Sequence, residues 1–242
     1  MSSKKHNYLK DLFKIATLLL LIVSLFSCLK SNDVYSNLER TAAYGTVIGD
    51  NQDARILLDD ENTILNIVSY ATIPIQLKNG NRVFIIFALA DKDNVPAPNT
   101  SSEYNVVVFD IKNILTKDYL IQTDLTEEQD AELGADRADI SNAWVSADYL
   151  NLIFYIQIAD TGVSHFVNLV LDEARSTNTK KHFIFRHNAH QDIGPIQSFG
   201  RVSFNIKDII DNMTSGSEME IVLQWNSYHS DGKQESFIYT KK

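Results

Sequence analysis

The chain has 242 residues, with 22 basic and 31 acidic side chains and a formal net charge of −9 at pH 7. An acidic protein repels phosphate backbones and anionic lipids, so we expect no nucleic-acid partner and no membrane binding through charge alone. Cys28 is the only cysteine, which excludes an intramolecular disulfide and leaves stability to apolar cores.

The first 28 residues have the pattern of a bacterial lipoprotein signal. Four lysines and one acid occupy residues 1–14, and an apolar run of twelve residues, 15–26, follows at once. This run is too short to span a bilayer, since a spanning helix needs about 20 residues. The stretch 25–28 (LFSC) matches a lipobox, in which a signal peptidase cuts directly before the cysteine. The alternative is an uncleaved N-terminal helix with an incidental cysteine.

We therefore predict a signal peptide at 1–27 and lipidation of Cys28, with a diacylglycerol on the thiol and a third acyl chain on the freed amine. Several acyl chains anchor a protein firmly to a membrane. The predicted location is the outer membrane, in either leaflet. Removal of the leader leaves 18 of the 22 basic and 30 of the 31 acidic residues, a net charge of −12. The polar residues 28–40 are predicted to be a tether.

Residues 41–117 are predicted to form an N-terminal five-stranded barrel. Short β-type runs alternate there with turn residues. Five strands within about seventy residues fit a Greek-key barrel of the oligonucleotide/oligosaccharide-binding (OB) type, although the count also allows an SH3-like barrel. The predicted strands are 44–48, 55–58, 63–68, 82–90 and 104–111.

The loop between the fourth and fifth predicted strands is the predicted binding site. Residues 91–102 exceed the usual hairpin connection of about 2–5 residues. In OB-type barrels this loop flanks the ligand face, and Pro96 and Pro98 would hold its middle extended. We predict Val95, Pro96 and Pro98 as binding residues, with a tolerated surface insertion as the alternative.

Residues 118–136 are predicted to be an acidic linker between two domains. The stretch 124–136 (DLTEEQDAELGAD) has few apolar residues. A solvated short helix that begins at Thr126 is the alternative, and it is compatible with a linker.

Residues 137–242 are predicted to form a C-terminal antiparallel β-sandwich. In 149–158 (YLNLIFYIQI) the five apolar residues at even positions fall on one face of a strand. The run 164–171 is expected to pair back onto this strand through the turn 159–162. Seven short strands without strong helices favour two packed sheets. These strands are 140–145, 149–158, 164–171, 181–186, 201–205, 218–225 and 236–240.

Five of the six histidines lie in the second half of the chain, and the spacing of His187 and His190 could hold a metal ion. A zinc site needs further ligands, and no His-Glu-x-x-His pattern supplies them. We therefore predict packed or surface histidines, no metal and no cofactor. Arg186 is expected to bury its stem and expose its charged tip.

Two oxygen-rich stretches, 59–62 (DDEN) and 91–94 (DKDN), could suggest calcium, but residues of this type between strands favour turns. Trp144 and Trp225 could stack on sugars, but aromatic residues in strands more often fill a core. No nucleophile or phosphate-loop motif is present, so no catalytic residue is predicted.

Four stretches carry a resemblance to a known family: 113–117 (NILTK), 143–151 (AWVSADYLN), 165–170 (HFVNLV) and 185–189 (FRHNA). They resemble the NigD-like family of Bacteroidetes lipoproteins, which implies a lipobox, an OB-type barrel and a β-sandwich. The family name comes from a bacteriocin-associated gene cluster, which implies a link to immunity or export. The family usually has an aromatic residue at the position of His190, and this departure weakens a metal role for His190.

The expected function is a non-catalytic binding or scaffolding role for a lipid-anchored envelope protein, with a protein or glycan partner. One alternative is a bacteriocin-associated immunity or export protein. The other is an envelope hydrolase with a histidine-based site.

Overall fold

Strands dominate the part of the chain that this computed structural model describes, residues 38–71, 75–90 and 102–242. Arg40–Lys242 form one compact unit that contains a barrel and a sandwich. This agrees with the predicted all-β architecture. The barrel strands are β1 (Thr41–Ile48), β2 (Arg55–Leu58), β3 (Thr63–Tyr70), β4 (Arg82–Leu89) and β5 (Ser102–Asn113).

The barrel closes because β1 pairs with both β2 and β4, in the order β1-β2-β3-β5-β4. The five strands lie where the sequence predicts them. In β4, Val83, Ile85 and Phe87 alternate into the core, as the period of two in a strand requires. The long β5 pairs in parallel with β3 and antiparallel with β4, and this pairing completes the OB-type topology.

Two sheets form the sandwich. One has the order β14-β13-β11-β10-β7 and the other the order β6-β12-β9-β8. Four strand pairs are antiparallel and three are parallel. The strands are β6 (Leu115–Asp118), β7 (Leu120–Ile121), β8 (Asp139–Ser146), β9 (Tyr149–Ile158), β10 (Phe166–Leu171), β11 (Lys180–Asn188), β12 (Ile196–Asn205), β13 (Glu218–Trp225) and β14 (Lys233–Thr240).

The predicted hairpin between 149–158 and 164–171 is wrong. β10 pairs with β11 and β7, whereas β9 pairs with β12 and β8 in the opposite sheet. The turn at 159–162 carries the chain from one sheet to the other, so that Phe154 of β9 packs against Phe185 of β11 across the core. Alternation identifies the buried face of a strand but not its neighbour, because both arrangements bury the same residues.

The acidic segment 118–136 belongs structurally to the sandwich. β6 lies across the predicted boundary at residue 117 and pairs with β12, and β7 pairs with β10. The short helix Glu127–Glu132 begins after Thr126, whose side chain and that of Gln129 form a capping box. Arg186 then donates to the Asp130 carboxylate at 2.8 Å and so ties the helix to β11.

A buried arginine joins the barrel to the sandwich. Arg82, at the start of β4, is fully buried, and its guanidinium donates to both Asp59 carboxylate oxygens at 2.6 and 2.7 Å. It also donates to Asn151 Oδ1 in β9 at 2.9 Å and to Ser203 Oγ in β12 at 3.4 Å. Trp144 Nε1 in β8 donates to Asp59 at 2.7 Å. The charge is therefore neutralised and hydrogen-bonded by side chains of both domains, as a buried ion pair requires.

Aromatic side chains extend this contact. The rings of Tyr44 in β1 and Trp144 in β8 have centroids 5.0 Å apart, and the Arg201 guanidinium of β12 lies 4.4 Å from the centroid of Phe84 in β4. The expectation that Trp144 fills a core is therefore wrong in detail. Trp144 is half-buried between the two domains, because the barrel covers that part of the outer face of the sheet. Trp225, by contrast, lies in the sandwich core, as predicted.

Candidate functional site

One long side of the sandwich is only half covered by neighbouring strands. β6 pairs with residues 202–205 of β12, and within the described chain no strand pairs with residues 196–201 on that side. In the facing sheet, β7 pairs only with Val170 and Leu171 of β10. The first halves of β10 and β12 therefore both lie at an open edge of the sandwich.

Most of the large exposed apolar residues belong to the strands and loops of this open edge. Phe166 is 55% exposed and Ile193 is 61% exposed. Six of the nine large hydrophobic residues that are exposed in the described chain lie on β6, β10 and β12 or in the loops that lead into β10 and β12. We call these six residues the edge surface: Leu115, Val163, Phe166, Ile193, Ile196 and Phe199. Exposed apolar residues concentrated in one region of a protein point to an interaction site more than isolated ones do.

A chain of hydrogen bonds beneath this surface joins the loop before β10 (159–165) to the loop before β12 (189–195). Asp192 Oδ2 lies 3.1 Å from His165 Nε2, and His165 Nδ1 lies 2.9 Å from His187 Nε2. His187 Nδ1 donates to the Arg137 carbonyl oxygen at 3.0 Å. The side chains of His165 and Asp192 are only 5% and 6% exposed, so the chain lies almost wholly inside the protein.

The acceptors set the charge of this cluster. A carbonyl oxygen and a carboxylate can only accept, so His187 Nδ1 and His165 Nε2 must both carry protons. The bond between the rings needs a third proton, which leaves one positive charge on the two imidazoles. The Asp192 carboxylate neutralises that charge. Geometry alone therefore pairs one imidazolium with one buried carboxylate.

The pKa shifts agree with this assignment. Burial lowers the pKa of His187, and the neighbouring His165 acts in the same direction, so His187 is the neutral ring. Burial raises the pKa of Asp192, but hydrogen bonds from His165 and from the backbone N–H groups of Asp160 and Ala159 lower it more. The resulting pKa of Asp192 is below its ordinary value, and the carboxylate stays ionised.

The two loops also touch directly. A Cβ atom built at Gly194 would lie 2.5 Å from Ala159 Cα, a distance that leaves no room for a side chain. Asp192 Oδ1 accepts from the backbone of Ala159 and Asp160 at 3.1 and 2.9 Å. A neighbouring cavity of about 250 Å³ has His187, Ile193 and Tyr228 in its wall. The edge surface thus rests on a rigid, charged and hydrogen-bonded support.

The structure does not bring His187 and His190 together. His187 is buried, whereas His190 is exposed in a left-handed backbone conformation, with its ring 4.5 Å from that of Phe166. The partner of His187 is instead His165, in the loop directly before β10. No group of three or more potential metal ligands occurs among residues 38–71, 75–90 and 102–242.

The stretch 59–62 forms a turn, as predicted. Asp60 Oδ1 accepts from the backbone N–H groups of Asn62 and Thr63 at 2.9 and 2.8 Å. The residues on either side of Asp60 also connect the barrel to the sandwich. Asp59 binds Arg82, and Glu61 Oε1 accepts from the backbone N–H of Ala147 in the sandwich at 2.9 Å.

Several predicted residues lie outside the described part of the chain. These are the lipidation site Cys28, the second oxygen-rich stretch 91–94 and the predicted binding residues Val95, Pro96 and Pro98. Their roles stay predictions. Within the described residues, no helix is long and apolar enough to cross a bilayer.

Sequence reasoning missed Arg82, His165 and Asp192. An arginine at the start of the apolar stretch 82–89 (RVFIIFAL) is the only signal for Arg82, and it does not reveal partners on three other elements. His165 and Asp192 carry no spacing motif at all. They meet because β10 and β12 begin at the same end of two facing sheets.

Comparisons with known proteins agree with this architecture. Residues 44–114 match the NigD-like N-terminal OB domain, and residues 121–239 match the NigD-like C-terminal beta sandwich domain. No curated protein matches the chain.

Solved structures share the fold at low sequence identity. A toxin-related protein from Parabacteroides distasonis is 24% identical, with a TM-score of 0.66, over 84% of this chain and 94% of that one. A NigD-like immunity protein from Bacteroides caccae is 17% identical, with a TM-score of 0.61, over 86% of this chain and 99% of that one. These likenesses concern the fold alone, whereas the two domain matches together cover most of the sequence. The chain therefore belongs to the NigD-like family.

Proposed function

We propose that this protein is a lipid-anchored protein of the outer membrane that binds a protein partner through the edge surface and catalyses no reaction. The proposal rests on the exposed apolar residues that the strands and loops of the open side carry: Leu115, Val163, Phe166, Ile193, Ile196 and Phe199. Burial of such side chains against a partner is favourable by about 25 cal/mol per Å² of apolar surface.

The chemistry of the surface favours a protein over a glycan. A sugar site needs an exposed aromatic platform with polar side chains around it, whereas most of the edge surface is aliphatic. Both tryptophans are engaged elsewhere, Trp144 at the contact between the domains and Trp225 in the sandwich core.

The support beneath the surface also favours binding. The loops before β10 and β12 are held by Asp192 and by the close approach at Gly194, so they need little ordering when a partner arrives. A preorganised surface loses less conformational entropy on binding.

The histidine cluster supports a structural role over hydrolysis. Both ring nitrogens of His165 and both of His187 are engaged in hydrogen bonds, which leaves none to take a proton from water or a substrate. The cluster is better suited to holding loops than to acid–base chemistry.

A toxin is a second candidate partner. The observation that favours it is the shared fold with a protein described as a NigD-like immunity protein. In that case the edge surface would intercept the toxin, and cells that lack the protein should become sensitive to it. Loss of sensitivity should follow when the wild-type chain is restored.

Crosslinking in intact cells tests the proposal. We expect the wild-type protein to capture a partner that the double variant Phe166→Ser, Ile193→Ser does not capture. Ile238→Ser is the matched control, because Ile238 is 58% exposed but lies on β14, away from the open edge. Equal capture by the double variant and the wild type would refute the role of the edge surface.

A further variant tests the lipid anchor. Cys28→Ser should lose labelled fatty acid and leave the membrane fraction, because serine offers no thiol for the lipid. Retained label would contradict the predicted lipidation.

A further inference from the structure

The open edge of β12 has less protection than the edges at β8, β14 and β10. β8 has a register shift between Ile140 and Asn142, and β14 carries the charged pair Lys233 and Glu235. On β10, the Lys117 ammonium donates to the Val167 carbonyl at 2.9 Å. Bulges, charges and capping lysines all keep foreign strands away. The stretch 196–200 (IQSFG), between Pro195 and Arg201, has no bulge, no charged side chain and no capping lysine.

Neighbouring hydrogen bonds show which way the backbone of β12 points. Ser141 Oγ in β8 donates to the Ile153 carbonyl, and the Gln157 N–H donates to the Tyr228 hydroxyl. Ile153 and Gln157 of β9 thus direct their backbone groups away from β12. In an antiparallel pair, residues that do not bond to each other both point outward.

The partners of these two residues on β12 therefore point toward the open edge. Arg201 lies opposite Ile153 and Gln197 lies opposite Gln157, in an unbroken register. Phe199 lies midway and has the same direction. Among the described residues, no strand pairs with Gln197 or Phe199 on that side, whereas the pairing with β6, which begins opposite Val202, engages the Arg201 carbonyl.

The edge also has a charge that lacks a counter-charge. The Arg201 guanidinium donates to the Tyr44 hydroxyl and lies over the rings of Phe84 and Phe199, but it forms no ion pair with a described carboxylate. An incoming segment with a carboxylate at this end would match it.

We propose that residues 196–201 of β12 bind an extended segment of the partner as an added β-strand. The segment would carry apolar side chains at alternate positions and a carboxylate opposite Arg201. Backbone hydrogen bonds to an exposed sheet edge give affinity, and alternate side chains give specificity. This inference rests on the proposed function and specifies how the partner binds.

The test uses a backbone change with a matched side-chain control. Gln197→Pro removes the N–H group that faces the open edge and costs no hydrogen bond to β9, so the sheet tolerates it. Gln197→Ala removes the same side chain but keeps the N–H group. The probe is a peptide selected from a random decapeptide library displayed on phage, with the detergent-solubilised wild-type lipoprotein as bait.

We expect the selected peptide to have alternating apolar residues and an acidic residue. Its Kd should rise about tenfold or more for Gln197→Pro and stay within about twofold for Gln197→Ala. Peptide binding should also slow amide hydrogen exchange at Gln197, Phe199 and Arg201 of the wild-type protein. This second readout holds even if the proline variant does not fold.

Three results would overturn the inference. The first is the failure of any peptide to be selected, and the second is an unchanged Kd for a folded Gln197→Pro variant without slowed exchange. The third is a wild-type dimer in sedimentation that Gln197→Pro dissociates, because the occupant would then be a second copy. If Phe166→Ser, Ile193→Ser loses its cellular partner while Gln197→Pro keeps it, strand addition is wrong and the proposed function stands.

Discussion

His165 and His187 lie ring to ring, with centroids 5.1 Å apart, whereas His190 stands three residues beyond His187 and points to the surface. β11 ends at Asn188, and the loop that follows, with a left-handed backbone at His190, carries that side chain to the surface while His187 stays buried. The useful pair comes from register, since Val167, two residues after His165, lies opposite His187. At the scale of single residues, strand pairing outweighs sequence spacing.

The lowered pKa of His187 predicts a pH-dependent stability. Below the ordinary histidine pKa of about 6.5, the unfolded chain binds a proton that the folded His187 resists. The contribution of His187 to the free energy of unfolding should therefore be complete above that pH. It should decrease as the pH drops from the unfolded pKa through the lower folded pKa. His187→Gln can still donate and accept hydrogen bonds but cannot titrate. Denaturant unfolding at pH 5, 6 and 7 should show a smaller decrease for this variant.

His182 provides a comparison for this prediction. Burial and the nearby Arg175 lower its pKa as well, but it lies outside the cluster. His182→Gln should reduce the pH dependence by a separate amount, and the double variant should show the sum. If the free energy of unfolding of His187→Gln depends on pH as steeply as that of the wild type, His187 does not change its protonation on unfolding.

At the scale of elements, β12 serves two purposes along its length. Its second half, 202–205, is covered by β6 and lies beside the contact with the barrel, while its first half forms the open edge. Gly200 marks the change between them. A Cβ atom at this position would lie 2.2 Å from the ring of Phe154 in β9. The absence of a side chain lets the Phe154 ring lie over the strand.

Gly200→Ala should destabilise the protein by about 1–3 kcal/mol, because the buried Phe154 ring must move. Gly162→Ala is the matched control, since its added Cβ would meet nothing closer than Asp160 Oδ1 at 3.4 Å. It should change stability by less than about 0.5 kcal/mol. Denaturant unfolding measures both, and Phe154→Leu should rescue part of the Gly200→Ala loss. Equal stability of the two alanine variants would contradict the packing argument.

At the scale of the whole molecule, the barrel and the sandwich are held together by polar groups rather than by a shared apolar core. Their apolar clusters are separate, and the contact between them centres on Arg82 and Asp59. A buried ion pair gains little over a hydrophobic contact, but removal of one partner leaves an unpaired charge. The contact therefore favours one relative placement of the two domains.

Arg82→Met should cost about 3–5 kcal/mol, because Asp59 loses its counter-charge. The double variant Arg82→Met, Asp59→Leu should cost less than the sum of the single variants, by about 0.5–3 kcal/mol. The comparison is Arg55→Met, whose ion pair with Glu103 is 43% and 52% exposed and should contribute about 0–1 kcal/mol. A loss from Arg82→Met no larger than that from Arg55→Met would show that the contact does not couple the domains.

Much of the fold could be predicted from the sequence. Short β-type runs between turn residues place the five barrel strands and the longer sandwich strands, and period-two alternation identifies the buried face of 149–158. The two shortest sandwich strands, β6 and β7, are not predicted, because they follow β5 without the turn residues that separate the predicted strands. The turn at 59–62 and the helix after Thr126 follow from local hydrogen bonds between side chain and backbone, which need no tertiary partner.

Local chemistry was thus determined by the sequence itself: which residues are apolar, where the chain turns, and which family it belongs to. Only the tertiary structure decided which strands are neighbours, which histidine meets which, and which sheet edge stays open. The physical reason is that alternation records burial on one face of a strand, whereas pairing depends on contacts between residues far apart in the chain. Arg82, His165 and Gln197 acquire their roles from such contacts, and the sequence around each of them does not show these contacts.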